Sequence, residues 1–193
     1  FEVLFDLTPQ ELSEHLINLL TIEGSGYALC LDSFFILEYN GEPAATCSAW
    51  IEALEGVGSA LKSATLWAKT LGMQRWASSK AMIKLFSETS IPRTPGSLQL
   101  ETFYVPLKFR GKKLTSRIIS EVSTHFEELG MSIRNSQIIL MESNQKAMTA
   151  YQHAGFLNPY LSPNTNDAFK NAFGFSRFLR LERNTSGSAE QYS

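Results

Sequence analysis

Between Leu98 and Phe156 the hydrophobic pattern changes period three times. Leu98, Leu100, Thr102 and Tyr104 alternate with Gln99, Glu101, Phe103 and Val105, and Pro106 ends the run, which predicts a strand. Leu114, Ile118, Ile119, Val122, Phe126 and Leu129 then recur at helical spacing as far as Gly130. A short apolar run from Gln137 to Met141 reads as a second strand, and Asn144 to Ala154 as a second helix with Gly155 just past its end. Two strands joined by a helix lie parallel with a right-handed crossover.

The rest of the chain is read around that unit. Phe1 to Asp6 reads as a short first strand, and Thr8-Pro9-Gln10-Glu11 is a capping box with proline at the first helical position and Leu7 and Leu12 as a staple. Leu12, Leu16, Leu19 and Leu20 give that helix one apolar face. Phe34 to Tyr39 and Pro43 to Ile51 flank Asn40-Gly41, the dipeptide of a type I′ hairpin. From Ala53 to Gly96 two helical stripes follow, Leu61 to Leu71 before Gly72 and Trp76 to Phe86 before Pro92, so this stretch is expected to be a helical insertion. Pro159, Pro163, Asn164, Asn166 and Asp167 punctuate a loop from Leu157 to Asn171 with room for a helical turn. Alternation from Phe173 through Leu181 predicts a closing strand. Residues 1–183 are thus expected to form one domain, with 53–96 as its insertion and 184–193 as a polar, mobile tail.

Composition narrows the function. At 193 residues with 44% hydrophobic and 19% charged, the chain can bury one core without stapling. A net charge of −2 with no basic block argues against a nucleic-acid partner. No apolar run is long enough for a membrane span and no export signal is visible, so a cytoplasmic protein without membrane contact, monomer or homodimer, is expected. The chain opens at Phe1 without methionine, so we expect residues ahead of it in a longer protein. Cys30 and Cys47 read as buried small hydrophobes. His15, His125 and His153 lack ligand spacing, read as surface or packing residues, and no metal is expected.

The turn between the first strand and helix of the central unit carries Arg110, Lys112 and Lys113 ahead of a helix N-terminus. Unpaired N–H groups, the positive end of the helix dipole and three cations together suit an anion, above all a phosphate. Val105-Pro106, Arg110-Gly111-Lys112-Lys113-Leu114, then Asn144 and Ala147 to Phe156 with Tyr151 before Gly155-Phe156, resemble the GNAT family, the GCN5-related N-acetyltransferases. Lys113 and Thr115 stand where that family usually has small residues. The matching motifs span about the middle third of the chain.

The resemblance implies an α/β (α+β) fold: a mixed, mostly antiparallel sheet with flanking helices, a splayed parallel pair, and here the helical insertion between the third and fourth strands. It also implies an acetyltransferase using acetyl-CoA and an amine acceptor. Arg110, Gly111, Lys112, Lys113, Leu114 and Thr115 would hold the pyrophosphate. Phe103, Val105, Asn144 and Ala147 would line the pantetheine arm, and Tyr151 would be both contact and general acid toward the thiolate. Glu101 and Glu142 are the candidate bases. Trp67, Trp76 and Arg75, with Glu55, are candidates for the acceptor side because binding pockets are mainly apolar with a few placed polar groups. A rival reading is a regulatory domain that binds acyl-CoA without turnover. P-loop nucleotide binding is excluded, since no Gly-x-x-x-x-Gly-Lys-Ser/Thr string occurs.

Overall fold

The structure, a computed structural model, describes residues 1–163 and 165–184. Its helices are α1 (Glu2–Phe5), α2 (Pro9–Leu20), α3 (Ser59–Ser78), α4 (Lys80–Thr89), α5 (Leu114–Glu128), α6 (Gln145–His153) and α7 (Asp167–Phe173). Its strands are β1 (Phe34–Tyr39), β2 (Glu42–Ile51), β3 (Leu98–Tyr104), β4 (Asn135–Met141), β5 (Leu157–Leu161) and β6 (Phe178–Asn184). The described strands form a sheet in the order β1-β2-β3-β4-β6-β5, antiparallel except for β3 beside β4.

Local chemistry sets several of these elements. Thr8 and Glu11 close their capping box at the start of α2, and Asn40 and Gly41 both take positive φ (55° and 77°) at the β1–β2 turn. One face of the sheet packs on α5, whose Leu114, Ile118, Ile119, Val122 and Phe126 join Ala45, Cys47, Leu98, Leu100, Ile138 and Leu181 in the main core. Leu129, at the C-cap, is exposed instead.

β3 does not alternate evenly to its end. Thr102 has φ of 50°, rare for a β-branched residue, and the β2–β3 register shifts there. Its hydroxyl accepts from the Ser48 amide (3.1 Å) and donates to Ser48 Oγ (2.7 Å), which holds the bulge. In consequence Leu98 and Leu100 face α5 before the bulge, and Phe103 and Val105, rather than Thr102 and Tyr104, pack toward the core after it. The β3–β4 register joins Leu98 to Ser136 and Gln99 to Gln137 and ends there, so the two strands diverge as they approach the turn into α5.

Five expectations are corrected. Residues 1–6 form α1 rather than a strand: Phe1 and Phe5, four apart, stack on each other and against Trp67 (ring centroids 4.8 and 4.7 Å). The insertion therefore lies between the second and third strands, as α3, bent at Gly72 where φ is 78°, followed by α4. Residues 157–161, read as loop, form the edge strand β5, where Pro159 is tolerated at the sheet margin. Phe173 ends α7 and Phe175 lies before β6, so the closing strand is shorter than the alternation predicted. Asn184, assigned to the tail, ends β6, and 185–193 lie outside the described residues. Among the described residues no helix is long and apolar enough to cross a membrane.

The insertion builds a second core. Trp67 is buried with Leu4, Phe5, Leu7 and Leu19, and Trp76, Met82, Ile83, Phe86 and Phe173 pack around them. The helical layer meets the sheet where the Phe86 ring contacts Phe178 of β6 at 5.4 Å. Arg75 is engaged by the Asp6 carbonyl (2.5 Å) and Glu11 (3.2 Å), and Glu55 pairs with Lys62 (2.7 Å). The tryptophans expected on the acceptor side therefore hold α1 and α2 onto the insertion, with Arg75 tying the same joint. Trp67→Ala is expected to cost about 3–5 kcal/mol in urea unfolding, the range for deleting a buried large aromatic, and to leave the acceptor KM unchanged. A raised KM without loss of stability would return Trp67 to the pocket.

Candidate active site

Between α6 and the loop that leads from β3 into α5, a cleft of about 690 Å³ opens. Val105, Phe109, Arg110, Gly111, Lys113, Leu114, Thr115 and Ser116 line one side, and Ala150 and His153 of α6 the other. Its floor is the first turn of α5. Helix geometry leaves the first N–H groups without intrahelical acceptors, and the N-cap Lys113 supplies no side-chain hydrogen bond to them. α2, α6 and α7, by contrast, are each capped by a side chain, from Thr8, Asn144 and Asn166. Among the described helices, α5 is one whose uncapped start lines this cleft, with Arg110 and Lys113 on its walls.

The loop conformation explains its residues. Gly111 has φ of 78° with nothing near a hypothetical Cβ, so the backbone, not space, requires glycine. Lys113 has φ of 57°, the left-handed region that small, flexible residues enter most easily, and it holds this shape while presenting its charge. Lys112 turns the other way: its ammonium lies over the rings of Tyr39 (4.5 Å) and Phe109 (5.5 Å), outside the cleft lining. It fastens the loop to the hairpin, as does the Lys108–Glu42 ion pair, and so differs from the phosphate contact expected of it.

Tyr151 is 8% exposed, one residue from the lining residue Ala150, with its ring 5.2 Å from that of Phe103. The bulge at Thr102 is what turns Phe103 onto it. Burial raises the Tyr151 hydroxyl well above the ordinary tyrosine range, with the neighbouring Cys47 and Glu101 adding to the shift. The group therefore stays protonated at neutral pH and is suited to giving up a proton rather than taking one. Burial likewise pushes the Cys47 thiol up to about 12, so it sits there as an inert apolar group.

The two candidate bases are held differently. Glu101 accepts from Arg93, whose guanidinium also lies 5.5 Å from the Trp50 ring. Glu142, just past β4, faces Arg177 at 3.6 Å, an ion pair too long for a hydrogen bond. Asn144 caps α6, its Oδ1 accepting from the Ala147 amide (3.2 Å), which leaves its NH₂ as the available part of the side chain. Ala147 packs against the main core. Sequence reasoning missed Phe109, Ser116, Ala150 and His153 as lining residues; the signal for the last two was their i, i+3 spacing, which puts them on one face of α6.

No family model matches the sequence, and no curated protein matches it in sequence. Solved structures do match in shape. An apo mutant of an agmatine N-acetyltransferase superposes with a TM-score of 0.51 at 13% identity, over 95% of this chain and 86% of that one. The chain has the GNAT fold. Further GNAT-type matches include an acetyltransferase from Streptococcus pneumoniae (TM-score 0.42, 13% identity, 91% of this chain and 75% of that one). AAC(6')-Ib in complex with ribostamycin and coenzyme A also matches (0.47, 15%, 83% and 68%). At these identities the likeness is one of fold.

Proposed function

We propose that this protein transfers an acetyl group from acetyl-CoA directly to a primary amine of a small molecule or peptide. The observation that carries the reading is the uncapped start of α5 between Arg110 and Lys113 in the cleft between β3 and α6. This is a site for the coenzyme's pyrophosphate. In this reading the backbone of Phe103 and Val105, beyond the last β3–β4 pair, bonds the pantetheine amides as an added strand would, although the Val105 carbonyl already accepts from Arg110 Nε (3.2 Å), and the Asn144 NH₂ is a further donor.

In this reading the amine nitrogen attacks the thioester carbonyl, a C–N bond forms and the C–S bond breaks. An alkylamine has a pKa of about 10.4, so deprotonating it at pH 7 costs about 4–5 kcal/mol, and a base is needed. Glu101 and Glu142 are the candidate bases, and each already faces an arginine, Glu101 hydrogen-bonded to Arg93 and Glu142 at 3.6 Å from Arg177, so either would have to leave its partner to take the amine proton. Tyr151 gives its proton to the departing thiolate, and burial keeps that proton in place until then.

The test is thiol release from acetyl-CoA across a panel of amines that starts with agmatine and short peptides bearing free N-termini. Amine-dependent release is expected. Coenzyme binding with no release across the panel would support the rival, a domain that binds acyl-CoA without turnover.

A further inference from the structure

The sheet face opposite α5 carries a buried polar knot at the one place where β3 and β4 still pair. Gln99 and Gln137 are partners in that register and both are fully buried. Gln99 Nε2 donates to Gln137 Oε1 (2.9 Å) and to Ser97 Oγ (2.6 Å). Gln137 Oε1 also accepts from the Thr94 amide (3.1 Å) and Ser97 Oγ (3.2 Å), and its Nε2 donates to Thr94 Oγ1 (2.7 Å) and Glu182 Oε1 (2.7 Å). Glu182 in turn pairs with Arg180, which holds the Pro92 carbonyl. One side chain thus binds β3, β6 and the segment that returns from the helical insertion.

This knot sits where the two strands part, and the cleft lining begins further along the chain, at Val105 after β3 and at Ala150 after β4. The register ends at this pair, and β3 leads through its bulge to Phe103, Val105 and the anion loop, while β4 leads to Glu142 and α6 with Asn144 and Tyr151. The two halves of the candidate site are carried by strands that meet at Leu98/Ser136 and Gln99/Gln137. On the α5 face their angle is held by nondirectional apolar packing of Leu98, Leu100, Ile138 and Leu140. On the other face it is held by directional bonds between two side-chain amides. Gln99 Oε1 has no partner at this angle, but both amide N–H₂ groups and Gln137 Oε1 are engaged, and a change of angle would cost those bonds as well.

We propose that Gln137, through its bond to Gln99, is a positioning residue that sets the opening angle of the coenzyme cleft. The inference rests on the acetyl-CoA reading above. The experiment measures acetyl-CoA dissociation constants by calorimetry on the full chain, at a temperature where near-ultraviolet circular dichroism shows every variant folded. Gln137→Met and the milder Gln99→Met keep volume and remove the bonds; Gln137→Met is expected to raise Kd about ten-fold, equivalent to about 1.4 kcal/mol, and Gln99→Met about three-fold. Leu19→Ala, which loosens the helical core at a 1% exposed side chain, is expected to lower the melting temperature as much while leaving Kd unchanged. Gln137→Glu sets a carboxylate against Glu182 and should weaken binding further; combining it with Glu182→Gln restores a donor and should recover most of the affinity. Wild-type affinity in both methionine variants, or equal weakening by Leu19→Ala, overturns the positioning role and leaves the acetyl-CoA reading intact. Failure of the wild-type chain to bind acetyl-CoA overturns both.

Discussion

Tyr151→Phe is expected to lower kcat by about ten- to a thousand-fold while leaving the acetyl-CoA dissociation constant unchanged, because a single general acid contributes on about that scale. The structure makes this a clean substitution. The ring is 8% exposed and packed on Phe103 at 5.2 Å, contacts that phenylalanine retains, so the change removes the hydroxyl and little else. The direction follows from the sign of the pKa shift. Burial holds the hydroxyl above its ordinary range, so the protonated form dominates across neutral pH and the alkaline limb of the wild-type rate profile does not come from Tyr151 in that range. Pre-steady-state thiol release, with coenzyme binding measured separately, checks both halves. Unchanged turnover would assign the proton to water or to another group and leave Tyr151 as the surface on which Phe103 packs.

What the sequence revealed of this site, and what it hid, follows the range over which each signal acts. The capping box at Thr8, the type I′ turn at Asn40-Gly41 and the stripe of α5 are local chemistry, and all three occur where the residues indicate. The parallel β3–α5–β4 unit followed from the strand–helix–strand order, and the GNAT fold from the motifs along it. Nonlocal features were hidden. Even alternation through Leu98–Val105 gave no sign of the bulge, because a threonine at φ of 50° is stabilised by Ser48 on the neighbouring strand. β5 is exposed along its whole length, so no core face marks it. Trp67 and Trp76 were weighed for the acceptor side because the insertion was placed beside the cleft and pockets are mainly apolar; the contacts with Phe1 and Phe5 that pack on their rings are nonlocal. His153 looked solitary until α6 turned it, beside Ala150, toward the loop after β3.

Lys113→Ala combined with Arg110→Ala is expected to raise the acetyl-CoA dissociation constant by about ten- to a hundred-fold, whereas Lys112→Ala should change it little. Charge-assisted contacts to phosphate are worth about 1.5–3 kcal/mol each when well formed, and exposure of the loop to salt reduces that. The difference among neighbouring cations comes from where the chain points them. Lys113 and Arg110 line the cleft above the first turn of α5, while the Lys112 ammonium rests over Tyr39 and Phe109. Affinity measured at several ionic strengths separates charge from shape: the double variant should show a shallower salt dependence than the wild-type chain, and Lys112→Ala an unaltered one. Lys113→Gly adds a second control, since glycine suits the φ of 57° and should stabilise the loop backbone, by up to about 1 kcal/mol relative to a side chain strained there. If Lys113→Gly weakens coenzyme binding despite a higher melting temperature, the lysine is retained for its charge at the expense of the turn. If affinity and salt slope stay as in the wild-type chain when Arg110 and Lys113 are both removed, the N–H groups of α5 hold the phosphate by themselves and the cations only coat the helix start.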